Sequence, residues 1–337
     1  IAMRAVVLVG GLGTRLRPLT CCRPKQMLPI VDRPMIEHVV GHLAAHGVDD
    51  VVLSLGYLPH AFGDAYPDGR CAGATLHYAV EPTPLDTAGA VRFAARHAGI
   101  DERFLVLNGD VLTDLDITRF VAFHERVGAE ATIALHKVDD PSRYGVVPTD
   151  RDGRVLEFVE KPPPGEAPTD LINAGTYVFE PSVLDRIADN RRVSVEREIF
   201  PALVADGSLY ALDDETYWID TGTPQEYVQA QLDLTEGLRG EPVAGIHADA
   251  QIDDGATIVR SVIGASAQVA TGARVEGAVL LSGVRVAAGA VVEGSIVGHG
   301  AVVGTDARVV GGSVVGDGET VAAGATLDGA RQPDRCP

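Results

Sequence analysis

Gly10, Gly11 and Gly13, followed by Thr14, Arg15, Arg17, Arg23 and Lys25, bring glycines and cations together in one short stretch. Backbone without a Cβ can approach a ligand closely and aim its N–H groups at it. Cations behind such a loop then balance the charge it holds. The chemistry this suits is polyphosphate binding. Two common phosphate loops are excluded. Gly13 is followed by Thr14-Arg15 rather than the Lys-Ser/Thr of a P-loop, and Leu16 stands where a dinucleotide fingerprint needs its third glycine. Taken alone, the stretch also fits a tight strand-to-helix turn with a solvated basic rim.

The cations stand out because the chain is acidic: 28 Lys and Arg against 47 Asp and Glu give a net charge of −19. That balance argues against nucleic acid or an anionic membrane as the main partner. With 46% hydrophobic and 22% charged residues the chain reads as folded, and its 337 residues suffice for two domains. No apolar run approaches the roughly 20 residues that span a bilayer. The first residues enter a strand pattern directly, without a signal peptide, so a cytoplasmic protein is expected. Cys21, Cys22, Cys71 and Cys336 lack zinc-site spacing and are read as reduced thiols, with a reactive one conceivable beside the basic loop.

The elements that must position the loop alternate. Ala5–Val9, Val51–Leu55, Thr75–Val80 and Phe104–Leu107 read as strands; Pro34–Gly47 and Ala88–Ala98 carry helical spacing. An open, mostly parallel α/β sheet follows, and its ligands bind beyond the carboxyl ends of strands. The glycine loop and Asp110, in Asn108-Gly109-Asp110, both sit at such ends. Residues 131–230 differ. Thr132–Val138, Gly145–Val147, Val155–Val159 and Thr176–Phe179 read as short strands, and Pro181–Ile187 as a helix. From about 245, aliphatics recur every six residues: Ile263, Val269, Val275 and Leu281, then Val291, Val297, Val303, Val309, Val315, Val321 and Leu327. That period predicts a hexapeptide left-handed parallel β-helix of about four coils. The predicted domains are 1–240, a Rossmann-like mixed-sheet catalytic domain, and 245–330, the β-helix.

The run Gly-Gly-x-Gly-Thr-Arg-Leu-x-Pro-Leu-Thr from Gly10, with Pro24-Lys25-Gln26-Met27-Leu28-Pro29, resembles the signature of the sugar-1-phosphate nucleotidylyltransferases. The resemblance extends over nearly the whole chain. It implies transfer of a nucleotidyl group from a nucleoside triphosphate to a sugar 1-phosphate, with release of pyrophosphate. Gly10, Gly11, Gly13, Thr14 and Gly109 would wrap the nucleotide, and Arg15 and Lys25 would touch its phosphates. Asp110 and Asp220, the latter in Trp218-Ile219-Asp220-Thr221-Gly222, would hold the metal. Mg2+ prefers one or two carboxylates plus phosphate oxygens and water. Glu160 and Lys161 resemble the sugar-phosphate motif, with Lys161 on the phosphate and Glu160 on ring hydroxyls. Asn173 and the Gly145 backbone would also face the sugar. The sugar phosphate oxygen is already charged, so no activated side chain is needed.

Base selection falls to the loop Glu81–Gly89. Guanine offers two donors on one edge, which suits an acceptor-only carboxylate, Glu81 or Asp86. The resembled family usually carries glycine where Asp86 stands. Ser194–Pro201 and the closing β-helix look most like mannose-1-phosphate guanylyltransferases, implying GTP and mannose 1-phosphate. Alternatives are a glucose-1-phosphate thymidylyl- or uridylyltransferase, a cyclitol-phosphate guanylyltransferase and a non-catalytic regulatory homologue. The β-helix is expected to mediate homo-oligomerisation rather than acyl transfer. The ten histidines form no ligand cluster, and most are read as surface residues.

Overall fold

The computed structural model describes residues 3–189 and 191–336. They form two compact units: residues up to Gly11 with Ile36–Trp218, and Leu12–Met35 with Ile219 onwards.

The first unit is built on one ten-stranded sheet. Its strands are β1 (Arg4–Leu8), β2 (Asp50–Leu55), β3 (Arg70–Cys71), β4 (Ala74–Val80), β5 (Phe104–Asn108), β6 (Ala131–Lys137), β7 (Gly145–Val146), β8 (Val159–Glu160), β9 (Leu171–Phe179) and β10 (Leu209–Asp213). The order is β8-β7-β9-β5-β1-β2-β4-β3, with β6 paired to β9 and β10 paired in turn to β6. β1 pairs in parallel with both β2 and β5, and β2 with β4. β1, β2 and β5 are buried on both faces, which is why they read as unbroken aliphatic runs, whereas β4 carries Thr75, His77 and Tyr78 half-buried. β9 is antiparallel to β5 and β6, so the sheet is mixed. Helices α1 (Met35–Ala45), α2 (Asp86–His97) and α3 (Ile117–Val127) cross over between strands. From β1 the chain runs through α1 to β2 on one side; β5 returns to the other. The strand order therefore reverses at β1, which puts the crevice where ligands bind at the carboxyl ends of β1 and β5.

Three local expectations need correction. Residues 155–159 form no continuous strand; Val155 makes only an isolated bridge with Thr149, and β8 starts at Val159. The helix expected over 181–187 is the single turn Ser182–Asp185. His124 is not a surface residue but 1% exposed; its Nδ1 meets Thr132 Oγ1 at 2.7 Å and its Nε2 meets Glu180 Oε1 at 3.1 Å. Burial holds its pKa below the usual imidazole value, against the pull of Glu180.

The second unit holds α4 (Pro224–Thr235) and a β-helix of three five-stranded parallel sheets. Five strands stand in each face, where about four coils were expected. The interior is Ile263, Val269, Val275, Leu280, Val286, Val292, Val297, Val303, Val309, Val315 and Val321. The steps from 263 to 269 to 275 are six and six, but 275 to 280 is five, and the same pattern recurs at 286, 292 and 297. Leu280 and Val292 therefore point inward, not Leu281 and Val291 as a strict six-residue count has it. The cause is the corner between the second and third faces. In two coils it turns on one glycine in left-handed backbone, Gly277 or Gly294; in the next it uses two, Gly311 and Gly312, and the step from Val309 to Val315 returns to six.

The segment Leu12–Met35 belongs to this unit. Its hairpin Pro29–Pro34 lies on α4: Gln231 Nε2 donates to the Pro29 carbonyl at 3.0 Å, and Val31 N donates to Gln231 Oε1 at 2.8 Å. Arg23 pairs with Asp317 at 3.2 Å, and a Cβ on Gly316 would come within 3.1 Å of Pro18. Cys21 is disulfide-bonded to Cys336, which overturns the reading of four reduced thiols; Cys22 is exposed and free, and Cys71 is buried and free. A sequence separation of 315 between the two half-cystines hides the pairing from any local pattern.

Candidate active site

In the first unit the end of β5 is laid on the end of β1. Gly109 N donates to the Leu8 carbonyl at 2.9 Å, and a Cβ at 109 would fall 2.5 Å from Val9 Cγ1. Only glycine allows that approach, and it fixes Asp110 at the head of the crevice, near the start of the loop at Gly10 and Gly11. β9 supplies the next group. Its register against β6 shifts between Asn173 and Tyr177, where Gly175 adopts φ +75°. A Cβ at 175 would strike the Asn108 amide at 2.6 Å, so the bulge presses against the end of β5. Asn173 Oδ1 accepts from Gly175 N at 3.0 Å, and its Nδ2 donates to Tyr177 Oη at 3.0 Å.

Tyr177 is fully buried, and burial raises its pKa well above the ordinary phenol value, reinforced by the negative charges of Glu196, Glu160 and Asp110. Three carboxylates from separate segments thus act electrostatically on one hydroxyl. Nothing in the sequence marks Tyr177 as the buried group on which these carboxylates act. Glu160 lies opposite Gly145 in the β7–β8 pair, and a Cβ at 145 would lie 3.1 Å from Glu160 Oε2. Lys161 follows in left-handed backbone (φ +49°), with its N–H on the Tyr144 carbonyl at 3.0 Å. Its ammonium is 3.6 Å from Glu160 Oε1 and its side chain is 63% exposed, which leaves it reach for an incoming anion.

Glu81 follows β4 beside the loop: its Oε1 lies 3.4 Å from where a Gly10 Cβ would stand. Oε1 accepts from Ser54 Oγ at 3.3 Å and Oε2 from Leu85 N at 3.0 Å. Burial raises the Glu81 pKa above the ordinary carboxyl value, partly offset by these hydrogen bonds. Asp86 occupies left-handed backbone (φ +65°), with Oδ1 accepting from Thr87 N at 2.9 Å. This conformation gives a physical reason for glycine at that position in the resembled family, and Asp is among the few side chains that tolerate it. Its other oxygen lies 3.7 Å from Arg192. The loop is then pinned by Thr87, whose hydroxyl donates to Glu196 Oε2 at 2.9 Å and accepts from Val195 N at 2.8 Å.

In the second unit Gly13 has φ +60°, and a Cβ there would come within 3.0 Å of Thr20 Cγ2 and 3.2 Å of Lys25 Cβ. Thr20 Oγ1 donates to the Gly13 carbonyl at 2.8 Å. Thr14, Arg15 and Leu16 form a 3-10 turn directly after it. Lys25 is only 7% exposed. Arg15 and Asp220 converge over Gly222: a Cβ there would overlap Arg15 Nη2 and lie 2.8 Å from Asp220 Oδ1. The structure thus gathers Gly13, Thr20 and Lys25 in one cluster and Arg15 and Asp220 in a second.

Residues 4–237 match the family model described as nucleotidyl transferase, and residues 241–331 match the GMPPB C-terminal domain. The mannose-1-phosphate guanylyltransferase of Mycobacterium tuberculosis is 43% identical over 97% of this chain and 78% of its own length. The mannose-1-phosphate guanylyltransferase catalytic subunit beta of Dictyostelium discoideum is 41% identical over 67% of this chain, which spans 63% of that protein. Among solved structures, HddC from Yersinia pseudotuberculosis in complex with GMP-PN matches with a TM-score of 0.59 and 30% identity, over 68% of this chain and 98% of that one. Among the described residues no helix is long and apolar enough to cross a membrane. With the family model covering the whole sheet unit and a curated relative aligned nearly end to end, the chain belongs to the nucleotidyl transferase family.

Proposed function

We propose that the protein joins GTP and mannose 1-phosphate to give GDP-mannose and pyrophosphate. The observation that carries this reading is the 43% identity to the mycobacterial guanylyltransferase over 97% of the chain, β-helix included. Glu81 supports the base. Each of its oxygens accepts one hydrogen bond from Ser54 or Leu85, and a carboxylate oxygen has a second lone pair to offer guanine donors.

In this reading Gly10, Gly11, Gly13 and Thr14 carry backbone N–H groups to the phosphates. Arg15 and Lys25 offset charge on the α-phosphate and on departing pyrophosphate. Lys161 holds the sugar phosphate so that its oxygen attacks the α-phosphorus in line, while Glu160, Asn173 and the Gly145 backbone orient the ring. The metal ligands are Asp110 and Asp220. Mg2+ is suited by one or two carboxylates and takes its remaining ligands from phosphate and water. When bound, the ion neutralises phosphate charge and orients the triphosphate.

Pyrophosphate release with Mg2+, across five nucleoside triphosphates and a set of sugar 1-phosphates, tests the reading. Turnover confined to GTP with mannose 1-phosphate is expected. Preference for dTTP or UTP with glucose 1-phosphate would overturn the role of Glu81 and keep the mechanism; a cyclitol phosphate acceptor would overturn the sugar alone.

We also propose self-association through the β-helix. One of its faces leaves an open groove of about 510 Å3 lined by Gln251, Gln268 and Arg285 together with Val269, Ala270 and Ala287. Such a face, part polar and part apolar, suits a second copy. Light scattering should give at least a dimer, and a monomer at micromolar concentration would refute the proposal.

A further inference from the structure

We infer that the Cys21–Cys336 disulfide is a redox latch on the segment 12–35, which carries Arg15 and Lys25; the inference rests on the phosphate-binding role proposed for those two cations. The bond ties the segment to the far end of the β-helix. Both half-cystines are partly exposed, so an external thiol can reach them. Two neighbouring ties between residues 18–23 and the last coils are small. The Arg23–Asp317 pair is partly exposed, and such pairs add little. Pro18 against Gly316 is a small apolar contact. Beyond it, the last ladder bond of the β-helix runs from Gly316 N to the Gln332 carbonyl, at 2.7 Å, so residues 333–336 lie past the ladder and are anchored through Cys336.

Opening the bond takes two electrons and two protons from a dithiol. One thiolate attacks a half-cystine sulfur, the second resolves the mixed disulfide, and the products are two protein thiols and the oxidised reductant. The tail past Gln332 is then free, and residues 18–24 lose the tie nearest the cations. Because the cross-link closes a loop of 315 residues, its loss also restores much conformational freedom to the unfolded chain. The segment then spends less of its time in the binding-competent arrangement, which raises the apparent dissociation constant for triphosphate in proportion.

The test compares the full chain oxidised and reduced with dithiothreitol. Denatured oxidised protein should titrate two thiols, Cys22 and Cys71, and reduced protein all four cysteines. Reduction should lower the melting temperature by roughly 5–10 °C and raise the dissociation constant for GTP, by calorimetry, roughly three- to tenfold. Cys21→Ser and Cys336→Ser should each behave as reduced protein with or without dithiothreitol; the tail variant covers the case where Cys21→Ser misfolds. Cys22→Ser should keep the full response. Four thiols in the oxidised sample, or equal GTP affinity in both states with the bond verified, would overturn the latch. Redox-dependent GTP affinity without pyrophosphate release would leave the latch standing and remove the transferase reading instead.

Discussion

Asp110→Asn should lower pyrophosphate release by at least about 100-fold, the scale of losing one preorganised electrostatic group. The substitution keeps size and shape and removes one charge. Gly109, laid against Leu8 and Val9, sets the backbone at that point, so the side chain is not what holds β5 to β1. The melting temperature should therefore stay within a few degrees of the parent. Rate and fold separate in one experiment: steady-state pyrophosphate release against Mg2+ concentration, with a thermal melt alongside. Near-parental turnover at every Mg2+ concentration, low ones included, would remove Asp110 from the metal site. Recovery at high Mg2+ would instead make it one ligand of several.

The second large effect concerns the β-helix. Val292 is 0% exposed inside the stack, whereas Val291 is partly exposed on the outer face. Val292→Asp buries an unpaired carboxylate among Val275, Val309 and their neighbours, and should cost about 4 kcal/mol or more. Val291→Asp should change stability by less than about 1 kcal/mol. Denaturant titration of the two variants compares them directly. Equal losses would restore the strict six-residue count and refute the five-residue corner at Gly277 and Gly294.

These two cases mark how far the sequence can be read. The strands at β1, β2 and β5 were legible because strands buried on both faces are written as aliphatic runs. The crevice followed, since a glycine loop and an aspartate both closed such runs. The β-helix was legible as a class because any mean period near six identifies it. Its register was not, because whether a corner spends five or six residues depends on where a glycine takes left-handed backbone, and Gly277 and Gly311 look alike as letters. The bulge at Gly175 was hidden for the same reason: the motif Asn173-Ala174-Gly175 was readable, but its pressure against Asn108 is tertiary. Residues 155–159 failed because an apolar alternation without a partner strand earns no ladder. His124 failed because a polar ring looks like a surface ring until Thr132 and Glu180 are seen facing it. Cys21 with Cys336 failed through distance alone.

The grouping of Leu12–Met35 with the residues after Trp218 fixes an order of events during synthesis. The hairpin at Pro29–Pro34 leaves the ribosome about 200 residues before Gln231, which receives it. Asp317 and Cys336, the partners of Arg23 and Cys21, follow later still, Cys336 at a separation of 315. At the usual 5–20 residues per second, the loop therefore waits on the order of 15–60 s for its supports. Through that interval β1, β2, β4 and β5 can already be paired, while the segment Leu12–Met35 still lacks the helix and coils it packs on. A nascent chain can thus own a paired sheet while a segment made before most of that sheet is still waiting for the last coil of the β-helix.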